Sequence, residues 1–155
     1  GEILVVAIIL EIEIFYKLSI NGGTSFGNMV NLSNNGGSSG FPDVAASGNN
    51  VCVMWSDSDF GNVEIFYRRS TDGGMTFGPI DNLSNNGGFS NFPAIAALEN
   101  SVYVVWQDQD AITEDNEILY RKSTDGGTSF GTTVNLSNKD GNQGSPDIAA
   151  SENLT

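Results

Sequence analysis

STDGGTSF at residues 123–130 repeats STDGGMTF at 70–77 and SINGGTSF at 19–26, so one octad occurs three times at offsets of 51 and 53 residues. Each copy is followed at a fixed distance by NLSN, beginning at Asn31, Asn82 and Asn135, and then by a proline, Pro42, Pro93 and Pro146. An octad, a tetrapeptide and a proline kept in phase along the chain make a structural period, not a chance recurrence.

Each period holds four short apolar or alternating runs bounded by Gly, Asn and Asp clusters, the pattern of strands joined by tight turns. The last full copy reads as strand A from Pro93 (PAIAALE), B from Ser101 (SVYVVWQ), C from Glu117 (EILYRKS) and D from Thr128 (TSFGTTVNLS). Alanine pairs at Ala45 with Ala46, Ala96 with Ala97 and Ala149 with Ala150 place strand A innermost, where blades crowd an axis and only small side chains fit. The predicted fold class is all-β: β-propeller blades, three four-stranded repeats making about half of a six-bladed ring. One domain, 1–155, divides into 1–41 (strands B, C and D), 42–92 and 93–145 (A to D each), and 146–155, a strand A closing a further blade.

The octad's composition suits a hairpin between C and D. Gly74 can take positive φ, Asp72 can accept N–H bonds inside the loop, and Phe77 returns to the core. The pattern S-x-D-x-G-x-[TS]-F resembles the Asp-box, or BNR, repeat of sialidases and many other propellers. Ser70, Asp72, Gly74, Thr76 and Phe77 carry it in the middle copy, and Ser123, Asp125, Gly127, Ser129 and Phe130 in the last. Ser19, Gly23 and Phe26 carry it in the first, with Asn21 in the Asp place. The resemblance implies fold and turn only, since Asp-boxes are structural turns away from the catalytic face. The first copy departs again where Ala7, followed by Ile8, Ile9 and Leu10, stands in the place of Trp55 and Trp106. That predicts an apolar stretch buried against a neighbouring blade or another chain.

Composition removes several function classes. Nineteen acidic against six basic residues give a net charge of −13, which repels a phosphate backbone, so nucleic acid is not an expected partner. The longest apolar run, Ile3 to Leu10, is too short to span a bilayer as a helix, and no membrane insertion is expected. Zero histidine rules out Ser/His/Asp and Cys/His nucleophiles and every imidazole metal site. Cys52 has no second cysteine to pair with and lies in VCVMW, where the next repeat has Tyr103, as a buried strand thiol would. An extracellular or cell-surface location is what the resemblance and the acidity imply.

In propeller geometry the D-to-A and B-to-C loops share one rim and the octads the other. Length varies in the B-to-C loop, SDSDFGN after Trp55 against QDQDAITEDN after Trp106, as in a scaffold that displays a site. Asp57 with Asp59, and Asp108 with Asp110, place alternate carboxylates on one side of an extended loop, an arrangement suited to Ca²⁺. These four are the metal-ligand candidates, and Ca²⁺ is the one cofactor to consider. Sialidases resemble one another in three arginines around a substrate carboxylate, a tyrosine nucleophile with its glutamate, and an aspartate acid/base. Here Arg68 and Arg69 are neighbours and Arg121 lies one repeat on, so the three cannot converge at a channel mouth. The Phe-Arg-Ile-Pro motif is absent, with only Phe41-Pro42 and Phe92-Pro93 in a comparable place. No catalytic residue is assigned. The expected function is a non-catalytic recognition or scaffold module binding a glycan, protein or cation on its acidic loop rim. The alternative is a sialidase-like glycoside hydrolase or a fragment of one.

Aligning the copies puts Ile3, Val51, Val102 and Thr155 at one repeat position. Three blades are too few to close a ring. The expected partner is a second copy, in a six-bladed homodimer where each terminal strand A completes the other's B-C-D blade. The rival is a fragment of a longer propeller.

Overall fold

A computed structural model describes residues 1–59 and 61–153. Among them the chain is all-β, without helix, in three antiparallel sheets. The first blade is β1 (Leu4–Leu10), β2 (Glu13–Ser19) and β3 (Val30–Asn31). The second is β4 (Ser39–Ser47), β5 (Asn50–Asp57), β6 (Glu64–Ser70) and β7 (Asp81–Asn82). The third is β8 (Phe89–Leu98), β9 (Ser101–Gln109), β10 (Asn116–Ser123) and β11 (Val134–Asn135). Strands follow one another in space as in sequence, the up-and-down meander of a propeller blade.

The core lies between blades, because alternate side chains of a strand point to opposite faces. Strand β5 sends Val51, Val53 and Trp55 toward the first blade, where they meet Ile14, Tyr16 and Leu32. It sends Cys52 and Met54 the other way, to Val102, Val104 and Trp106 of the third. Burying one such aliphatic side chain contributes about 1.5–3 kcal/mol, so each blade is held mainly by its neighbours. Inner strands β4 and β8 pack side by side, with Ala96 buried, as small residues at an axis allow.

Three expectations need correction. Strand D is two residues long, not ten, because the octad and the turn after it take up residues to 131, where Gly131 N–H donates to Lys122 O. Strand A starts earlier than its proline, at Ser39 and Phe89, and passes through a bulge at each Phe-Pro pair. The register of the first blade is shifted by one residue: Leu4 faces Ser19 as Val51 faces Ser70 and Val102 faces Ser123. Leu4, not Ile3, is therefore the equivalent of Val51, and Ile8, not Ala7, sits in the tryptophan place. A tight turn at Glu11 and Ile12, with φ of 51° and 67°, sets that register. Residues 146–153 pair with no described strand, although Ile148 to Ser151 share a cleft with Leu98, Tyr103 and Tyr120 of the third blade, and Thr155 lies outside the described residues.

Candidate functional site

Each octad closes on itself. Ser70 Oγ–H donates to Asp72 Oδ1 (2.7 Å) and accepts from Gly74 N (2.8 Å), while Thr76 donates its amide (2.9 Å) and its hydroxyl (2.6 Å) to Asp72. Ser123, Asp125, Gly127 and Ser129 repeat this set. In the first copy Ser19 donates to Asn21 Oδ1 and accepts from Gly23 N, and Asn21 now donates Nδ2 to Ser25 Oγ. Hydrogen bonds from Thr76 and Ser70 bring the Asp72 carboxyl down to about 2, and Ser123 and Ser129 hold Asp125 lower still. Phe77 and Phe130 stand edge-on to Tyr16 and Tyr67 of the preceding blades, at 4.9 and 5.2 Å, whereas Phe26 is exposed.

The arginines are clasps between blades. Arg68 donates Nε to Gly78 O (2.7 Å), one terminal nitrogen to Phe77 O (3.1 Å) and the other to Leu32 O of the first blade (2.9 Å). Arg121 does the same with Gly131 O, Phe130 O and, in the second blade, Leu83 O. Arg69 reaches forward to Gly126 O at 3.0 Å.

On the opposite rim two of the four metal-ligand candidates are buried. Asp57 Oδ2 accepts from Trp55 Nε1 (2.9 Å), Ser39 Oγ (2.7 Å) and Asn35 Nδ2 (2.9 Å), and its Oδ1 accepts from Asp59 N. Asp108 Oδ2 accepts from Trp106 Nε1, Ser90 Oγ and Asn86 Nδ2. Each carboxylate ties the loop before strand A to the end of strand B. Asp59 and Asp110 are exposed: Asp59 accepts from Gly36 N, and Asp110 from the amides of Ile112 and Thr113, which lower its pKa. Among the described residues no three acidic side chains gather as a metal cluster. Asn35, Asn86, Ser39 and Ser90 were missed by motif reading. Their signal is the pairing of an Asn-x-x-x-Ser loop with the Trp-x-Asp that follows it, present in both later copies.

The same rim carries an aromatic pair at the start of the inner strands. Phe41 and Phe92 meet edge to face with centroids 4.6 Å apart, and Phe41 is half exposed. Both have φ of 51°, and each precedes a proline, a position that disfavours this backbone. Left-handed φ on a bulky residue costs about 1–3 kcal/mol, and such strain gathers at ligand sites. Beside Phe41 a cleft is edged by Ser38, Ser56, Ser58 and Asn91, with Ser56 Oγ–H donating to Asn91 Oδ1 at 2.6 Å.

No protein-family model and no curated protein matches the sequence. Solved structures do. A variant of the NanB sialidase from Streptococcus pneumoniae matches over 86% of this chain and 20% of its own, at 16% identity and TM-score 0.50. Trypanosoma rangeli sialidase, in complex with sialic acid, matches over 71% and 22%, at 16% identity and TM-score 0.50. A Hadza microbial sialidase matches over 83% and 34%, at 11% identity and TM-score 0.53. The chain thus has a sialidase-like propeller fold and spans a fifth to a third of these proteins' length.

Proposed function

We propose that the chain is a non-catalytic, extracytoplasmic recognition module that binds a neutral or basic glycan on its loop rim. The carrying observation is the Phe41–Phe92 pair, an apolar platform held at strained backbone beside a cleft lined by Val63 and edged by Ser38, Ser58 and Asn91. An aromatic face with a few convergent polar groups suits a sugar ring, which is apolar on one side and hydroxyl-rich at its edge. The charge of −13 disfavours an anionic sugar. In this reading the octads are Asp-box turns whose carboxylates are spent inside the hairpin. The arginine clasps leave Arg68, Arg69 and Arg121 on the octad side, away from any carboxylate bound at the loop rim.

Sialidase-like hydrolysis is the second reading, favoured by the fold likeness. Any Ca²⁺ binding we assign to the exposed Asp59 and Asp110, at about millimolar strength, because Asp57 and Asp108 are committed to indole, hydroxyl and amide donors. A glycan array run with and without Ca²⁺ tests the proposal. Wild-type protein should retain a neutral glycan and Phe41→Ala should lose it with its unfolding temperature unchanged. Turnover of a fluorogenic sialoside by the purified wild-type protein would establish the hydrolase instead.

A further inference from the structure

Between the second and third octads lies a cleft of about 390 Å³, lined by Tyr67, Arg69, Thr71, Asp81 and Thr128 among others. That is room for a small molecule, at the low end of the roughly 300–1,000 Å³ usual for such sites. Its two charges come from adjacent strands of the second blade. Tyr67 and Arg69 are alternate residues of β6 and point to one face, and Asp81 of β7 stands opposite Tyr67 on that same face. Arg69 and Asp81 are therefore diagonal neighbours across the strand pair, a spacing within reach of long side chains. The Tyr67 hydroxyl feels both: burial is the chief cause of its raised pKa, while Arg69 lowers it and Asp81 raises it.

Neither charge is spent inside the protein. Arg69 bonds through Nη1 alone, donating to Gly126 O at 3.0 Å, to Asp125 O at 3.4 Å and to Thr128 Oγ1 of the third octad. That anchor fixes the guanidinium. Its Nε and Nη2 bond nothing among the described residues, and these two form the planar fork of parallel donors that matches a carboxylate. The Asp81 carboxylate accepts no hydrogen bond and joins no ion pair among the described residues, with Arg69 or with any other side chain. The repeat shows that a blade needs neither charge. Leu18 and Val30 hold these places in the first copy, and Lys122 and Val134 in the third. The corresponding hollow beside the first octad is lined by Leu18, Ile20 and Val30 instead. An acid and a base together at this place are particular to the second blade.

We propose that this cleft is a second binding site, for a small zwitterion of the amino-acid class, with the Arg69 Nε and Nη2 donors on the ligand's carboxylate and Asp81 on its ammonium. The two charges select against ligands of a single sign. A lone anion meets Asp81 and the chain's net charge of −13, and a lone cation meets Arg69. A zwitterion pairs with both and brings no net charge. Thr71, whose hydroxyl also bonds nothing among the described residues, lines the same cleft and can accept from the ammonium. The site lies on the octad rim, across the arc from the Phe41–Phe92 platform, and is independent of glycan binding there.

Isothermal titration of the protein at neutral pH with glycine, β-alanine and 4-aminobutyrate, which hold their two charges increasingly far apart, tests the site. At least one of them should bind saturably, about tenfold more tightly than acetate or methylammonium, as one further charge-assisted hydrogen bond allows. Asp81→Val introduces the residue that the first and third copies carry in this place. It should lower the affinity for the zwitterion about tenfold and leave that for acetate no weaker. Arg69→Leu, which copies the first blade, should abolish binding of both. The Asp81 side chain makes no bond that its replacement would break, so Asp81→Val should keep the wild-type unfolding temperature. If Arg69→Leu loosens the third octad, the Asp81→Val comparison decides by itself. A wild-type protein that none of the three zwitterions saturates would overturn the proposal. So would acetate bound as tightly as the best zwitterion, or an Asp81→Val variant with unchanged affinity.

Discussion

The two rims of the arc keep their repeats to different degrees. On the octad rim the glycine amide reaches the serine hydroxyl at 2.9, 2.8 and 2.9 Å in the three copies, and the changes are Asn21 in the Asp place and Met75 where Thr24 and Thr128 donate to the loop carbonyl. On the loop rim Asp57 and Asp108 are buried at equivalent places in the second and third blades, and beyond them Asp59 and Asp110 sit in loops of different length and bonding. Where side chains must satisfy the hairpin's own amides, there is one solution and the copies agree. Past the buried aspartate, where no repeated bond holds the B-to-C loop, its residues vary at little cost.

The largest break in that contrast should come from two glycines. Gly127 has φ of 84°, and a methyl group there would run into the Tyr67 hydroxyl, which donates to Gly127 O at 3.0 Å. Gly127→Ala should cost roughly 3–5 kcal/mol, from strain and overpacking together. On the loop rim nothing lies within 4 Å of a methyl group built on Gly87. Gly87→Ala should stay within about 0.5 kcal/mol. Urea unfolding of both variants measures the gap, and equal losses would remove the distinction between the rims.

Next in size are the clasps. Arg121→Met keeps the aliphatic stem but gives up three bonds to carbonyl oxygens, one of them in the adjacent blade, and should cost roughly 2–3 kcal/mol by the same unfolding measurement. Asp57→Ala on the loop rim should cost a comparable 2–4 kcal/mol, because Trp55 Nε1 and the Ser39 hydroxyl would be left buried without their acceptor. A smaller loss for Asp57→Ala than for Gly87→Ala would mean that the buried carboxylate does not anchor its loop.

The smallest effect is set by pH. Asp72 has a folded pKa of about 2 against an ordinary 3.8, held down first by the Thr76 hydroxyl and then by Ser70. A depressed carboxyl stabilises the fold above its unfolded pKa and loses that contribution as pH falls through the folded value. Asp125 acts in the same direction. Unfolding temperature should therefore drop between about pH 4 and pH 2, and Asp72→Asn should flatten part of that drop. Asn21 carries no titratable group, so the first hairpin takes no part in it.

Much of the fold was legible in the sequence, because the period, the turn glycines and the alternating strands are local signals. Strand boundaries were less so. The length of strand D depends on how far the octad turn extends, and the register of β1 on a two-residue turn whose residues, Glu11 and Ile12, do not announce positive φ. The candidate site was the least legible part. Asp57 and Asp59 look alike in an extended loop, and only the fold brings Asn35 and Ser39, 22 and 18 residues upstream, onto the first of them. Phe41 and Phe92 read as part of a Phe-Pro motif, while their mutual stacking requires two blades to be in place.

One thiol turns the buried interface into something that can be timed. Cys52 is the chain's sole cysteine, fully enclosed between the second and third blades and 3.1 Å from the Tyr67 hydroxyl, with burial raising its pKa. A disulfide reagent can reach it only when those blades part. The labelling rate in native buffer therefore counts blade separations directly, and its acceleration by Arg121→Met would report a loosened clasp without any denaturant.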